Sequence, residues 1–101
     1  MKLAKYTRVN LPEWIYLAGE VLTPNAVSAL VTIPSEATII EMRPEGGAMY
    51  FAINNAFALT TSPGYIADGG GEILGPLGNL NQLAVYAAAG VTVHIMYFRE
   101  G

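Results

Sequence analysis

His94 is the only histidine in the chain, and there is no cysteine. Thiolate nucleophiles, zinc–thiolate sites and disulfides are therefore excluded, and any chemistry falls to one imidazole, the carboxylates and the hydroxyls. His94 sits in the alternating set Thr92, His94, Met96, Phe98 without the spaced nitrogen, sulfur or carboxylate companions of a metal site, so it reads as a core or interface residue with a hydrogen-bond partner. Asp68-Gly69-Gly70-Gly71-Glu72 places two carboxylates around a flexible turn but lacks the long run of alternating oxygen ligands found in a calcium loop. The glycines of 69–78 end in no Gly-Lys-Ser/Thr, and the segment after them reads as a strand where a phosphate cradle needs a helix amino terminus. Ser28, Ser35 and Ser62 stand in turn or strand contexts with no nucleophile motif around them. Glu41, Asp68 and Glu72 could pair in space, but nothing in their spacing requires it. These residues predict a protein that is not an enzyme and that uses no cofactor and no metal.

The elements that carry these side chains are strands. In 83–99, LAVYAAAGVTVHIMYFR, two alternating runs flank Ala87-Ala88-Ala89-Gly90. Leu83, Val85 and Ala87 share one face of the first run. Val91, Val93, Ile95 and Tyr97 share one face of the second, because side chains on a strand change sides at every residue. Gly90 suits a tight turn, so the segment is expected to be a β-hairpin. Both faces of its last strand are apolar or nearly so, which predicts cover on both sides, by a second sheet or by another subunit.

Upstream, alternation gives strands over 29–33, 38–43, 48–54, 65–67 and 72–77, the last broken at Gly75-Pro76. Turn residues separate them: Pro34-Ser35-Glu36, Pro44-Glu45-Gly46-Gly47, Asn54-Asn55, Ser62-Pro63-Gly64 and 68–71. No segment keeps helical periodicity over three turns. The expectation is an all-β fold, a small antiparallel β-sandwich or jelly-roll-like barrel of about seven to eight short strands. Residues 1–25 read differently. Lys2, Lys5 and Arg8 precede the cluster Trp14-Ile15-Tyr16, which Pro12 and Pro24 bracket. The division expected is an extended N-terminal arm over 1–25 and a β-sandwich domain over 26–101, with a first edge strand as the alternative for the arm.

Composition says what such a domain is for. Only 13% of the 101 residues are charged while 52% are hydrophobic, against an ordinary charged share of roughly 25%. The surplus apolar surface needs a membrane or a permanent protein partner. No apolar run reaches the length of about 18 residues that a membrane helix needs, and the Gly/Pro loops leave too little chain for a transmembrane barrel. A net charge of −3 argues against a protein built to grip phosphates, so nucleic acid is not expected as a partner. Obligate assembly remains. Its expected self-contact residues are Val93, His94, Met96, Phe98 and Tyr86.

The order Thr32-Ile33-Pro34, Ile40-Glu41-Met42-Arg43, Glu45-Gly46-Gly47, Tyr50-Phe51-Ala52-Ile53-Asn54, Ser62-Pro63-Gly64-Tyr65, Ile73-Leu74-Gly75-Pro76-Leu77 and Leu83-Ala84-Val85-Tyr86-Ala87 resembles small structural proteins of tailed bacteriophages. In particular it is similar to capsid decoration (cement) proteins with a β-sandwich or jelly-roll body, over about 30–98. The resemblance implies a homotrimer on the outer surface of the virion. It would clamp the major capsid protein through an arm whose anchoring residues are Lys5, Arg8, Trp14, Ile15 and Tyr16. Two other readings stay open: a carbohydrate- or host-binding sandwich stacking sugars on Tyr50, Tyr65, Tyr86 and Trp14, and a head–tail connector.

Overall fold

The computed structural model describes residues 13–101. It is all-β: eight strands and, among the described residues, no helix. They are β1 (Trp14–Leu22), β2 (Ala29–Val31), β3 (Ile39–Glu45), β4 (Met49–Ile53), β5 (Gly64–Ile66), β6 (Glu72–Leu74), β7 (Leu83–Ala87) and β8 (Thr92–Glu100). Sheet A has the order β1-β8-β3-β6, and sheet B the order β2-β7-β4-β5. The pairings are nested. β4 pairs with β5, β3 with β6, β2 with β7 and β1 with β8, all antiparallel. The β3–β8 and β4–β7 ladders then join these pairs side by side, completing sheet A and sheet B respectively. This is a long hairpin rolled on itself, the topology of a jelly-roll sandwich.

Period-two alternation explains the layers. Met42, Ile95 and Tyr97 of sheet A meet Met49, Phe51, Leu83 and Val85 of sheet B in one buried cluster. Filling both inner faces with such side chains stabilises the fold by about 1.5–3 kcal/mol for each that is fully buried.

Two expectations need correction. The segment 83–99 is not a hairpin: β7 and β8 lie in different sheets and do not pair. Gly90, at φ 88°, turns the chain across the sandwich, next to the β3–β4 corner, where a Cβ on Gly46 would come within 3.0 Å of the Gly90 carbonyl oxygen. Every connection except β4–β5 makes such a crossing, so nearly all pairing is between strands distant in sequence.

Nor does the sandwich begin at Ala26. Trp14–Leu22 is a nine-residue strand paired with β8 from Trp14↔Glu100 to Leu22↔Val93. An irregularity between Tyr16 and Ala18 breaks its alternation, so that Leu17 and Ala18 both pack against the core. Lys5 and Arg8 lie outside the described residues.

Candidate functional site

β1, β8, β3 and β6 compose the outer face of sheet A, and their register sets its rows. Tyr16 lies opposite Phe98, and Phe98 opposite Ile39. Gly19, Met96, Glu41 and Ile73 form the next row, and Val21, His94 and Arg43 the one after it. Phe98 touches both aromatics of β1, with ring centroids 5.8 Å from Trp14 and 5.9 Å from Tyr16. One end of this face is therefore an aromatic cluster, with Trp14 still 42% exposed. The other end is polar. Glu45 Oε1 stands 3.0 Å from His94 Nε2, yet Glu45 is largely solvated, so the pair adds little to stability.

Between the two ends lies a shallow depression of about 260 Å³, lined by Gly19, Val21, Glu41, Arg43, His94 and Met96. Gly19 contributes to it and leaves room for the Tyr16 side chain: a Cβ there would sit 2.7 Å from the Tyr16 hydroxyl. The lining offers carboxylate, guanidinium and imidazole groups, with the Tyr16 hydroxyl beside Gly19. Among the described residues no three His, Cys, Asp or Glu side chains come together as metal ligands.

Glu20 faces inward, where its carboxylate accepts a 2.7 Å hydrogen bond from the Tyr97 hydroxyl. Tyr97 is 1% exposed. Burial, and then the hydrogen bond to Glu20 and that charge, push its hydroxyl well above the usual tyrosine range. A folded value raised above the unfolded one gives a contribution that is complete below about pH 10 and lost as pH rises further. Urea unfolding should therefore show wild-type stability falling above about pH 10, and less steeply for Tyr97→Phe. At pH 7 the same substitution should cost about 1.5–3 kcal/mol, the worth of a hydrogen bond to a charged group. A parallel alkaline decline in both proteins would contradict this account.

Sheet B is of another kind. Every Asp, Glu, Lys or Arg that lies on a described strand belongs to sheet A, and sheet B has none. Its outer face carries a file of tyrosines, Tyr65, Tyr50 and Tyr86, in register across β5, β4 and β7. Their ring centroids are separated by 5.3 Å and 6.3 Å. Beside them Ala52 and Ala84 are buried under Ala58, from the loop that joins β4 to β5. The Ser28 hydroxyl accepts from the Ala58 amide at 2.9 Å, and the Ser62 hydroxyl from the Leu59 amide at 2.8 Å. At the loop's foot, the Asn54 side chain accepts from the Asn81 and Gln82 amides and donates to the Asn79 carbonyl. These bonds hold the loop while Phe57, 69% exposed, and Leu59 project outward.

The residues singled out from the sequence are thus dispersed. His94, Met96 and Phe98 share the outer face of sheet A with Trp14 and Tyr16, whereas Tyr86 lies on the opposite sheet. Val93 belongs to neither surface: it is fully buried and points into the core, so it cannot contact another subunit. Ile15 lies opposite Arg99 and is partly exposed. Of the four aromatics considered as a sugar platform, the structure gathers three and places Trp14 on the other sheet. Sequence reasoning did not single out Leu30, and it offered the 56–64 loop only as a second choice for attachment, without naming Phe57 or Leu59. Their signal was the complete lack of charged residues over 21–35 and 46–67. Neither a protein-family model nor a curated protein matches this chain.

Proposed function

We propose that the chain is a virion structural protein, a capsid decoration protein that binds the outer capsid surface as a homotrimer and stabilises the head. The observation that carries this reading is the grouping of large exposed apolar side chains on both outer faces of one sandwich. Trp14, Tyr16, Val21 and Ile73 lie on sheet A, and Leu30, Phe57, Leu59 and Tyr65 on the sheet B side. A protein with two such faces suits a place between other proteins, where both are covered. The jelly-roll topology agrees by analogy only, since capsid proteins, lectins and cupins share it.

On this reading the aromatic end of sheet A grips the major capsid protein. Trp14→Ala should then weaken attachment by about 2 kcal/mol or more, the cost of truncating a buried aromatic anchor. Co-sedimentation with heads of the major capsid protein of the same phage measures it. Undiminished binding by Trp14→Ala would remove the anchor from this end of the molecule.

A second reading, carbohydrate binding, is favoured by the tyrosine file on sheet B, since exposed aromatic rings can stack on sugars. A glycan array probed with the purified protein separates the two readings.

A further inference from the structure

We infer that the outer face of sheet B, with Phe57 and Leu59 of the loop that covers part of it, is the surface through which copies of this chain contact one another. The assignment rests on the homo-oligomeric reading above and says which face performs it. The argument is one of charge. Burying a charged group without a partner is costly, so whatever covers a charge-free surface must itself present no unpaired charge there. A second copy meets this condition automatically, because the same face supplies both sides of every contact. Three copies turned with sheet B toward a common axis would enclose Leu30, Phe57, Leu59 and the tyrosine file, and no Asp, Glu, Lys or Arg from the strands of that sheet.

Sheet A does not meet this condition automatically against itself. Its outer face carries Glu41, Arg43 and Glu45 around His94, and self-contact there would bring these groups together or strip their water. The sheet B surface is also built in advance. Ala58 is fully buried, and hydrogen bonds to Ser28 and Ser62 fix the loop, so projecting Phe57 and Leu59 requires little further ordering.

The experiment is sedimentation velocity of the full chain and four variants at micromolar concentration, with circular dichroism as the check on folding. Leu30→Lys, Phe57→Lys and Tyr65→Lys change side chains that are each more than half exposed, so the fold should tolerate them. Val21→Lys is the matched change on sheet A. The expected result is an oligomer for the wild type and Val21→Lys, and folded monomers for the sheet B variants, with self-affinity at least tenfold weaker. If Val21→Lys dissociates and the sheet B variants do not, the face is misassigned while the homo-oligomeric reading stands. A monomeric wild type overturns both. A monomer that binds a glycan, and loses it in Tyr65→Lys, overturns the inference in favour of a sugar on the same face.

Discussion

Removal of residues 1–25 abolishes folding: the truncated chain should show no cooperative thermal transition and no native sheet signal in far-ultraviolet circular dichroism. The deletion takes away all of β1. With it go the ladder from Trp14↔Glu100 to Leu22↔Val93, the core contacts of Leu17, Ala18 and Leu22, and the Glu20 acceptor for Tyr97. Ladder hydrogen bonds at roughly 0.5–1.5 kcal/mol each, added to the lost apolar burial, come to the order of a small domain's whole stability of about 5–15 kcal/mol. The truncation would also leave β8, nine residues long, as an open edge with unpaired backbone groups, a template for aggregation. A truncated protein that melts cooperatively within a few degrees of wild type would show that β1 is dispensable and return the segment to the status of an arm.

Val93→Lys should be nearly as severe, and Met96→Lys mild, although the two lie three residues apart on one strand. Val93 is fully buried between the sheets. A lysine there leaves an unpaired ammonium in an apolar core, at a cost of several kcal/mol even after relaxation. Met96 looks outward over Gly19 and Glu41 and keeps partial access to water, so a lysine can reach solvent. Purified Met96→Lys should give a far-ultraviolet spectrum like the wild type, while Val93→Lys should be recovered unfolded or aggregated. A folded, cooperatively melting Val93→Lys would overturn the inward orientation of Val93 on β8.

What the sequence displayed clearly was local. Alternation marked β3, β4, β7 and β8 as strands and grouped the residues that share a face on β7 and β8, because one buried face imposes period two on side chains whatever strand lies alongside. Which face of β8 is buried was not legible, and Val93 was assigned to a surface. Pairing was not legible. Two alternating runs around Gly90 look the same whether the chain doubles back within a sheet or crosses to the other one, and the difference lies in partners far away in the sequence, β1 for β8 and β2 and β4 for β7. β1, an edge strand offered only as the alternative to an arm, was blurred by its own irregularity, since Leu17 and Ala18 both face inward and Gly19 breaks the pattern on the outer side. The surfaces were half legible. The charge-free stretches 21–35 and 46–67 stood in plain view, but that β2, β4 and β5 within them share a sheet follows only from the topology.

The nested pairing also governs how quickly the molecule can be made. β4 and β5 meet across the ten residues of 54–63, whereas Trp14 must find Glu100 at the other end of the described chain. Each pair outward from the β4–β5 turn closes a longer loop, and loop-closure entropy has to be met before the contacts that offset it exist. Domains dominated by such distant contacts fold over milliseconds to seconds, far slower than helical bundles of equal stability. Until β1 arrives, the edge of β8 is open. The exposed apolar surfaces on which the proposed assembly rests are also those that newly made copies must keep apart while they fold.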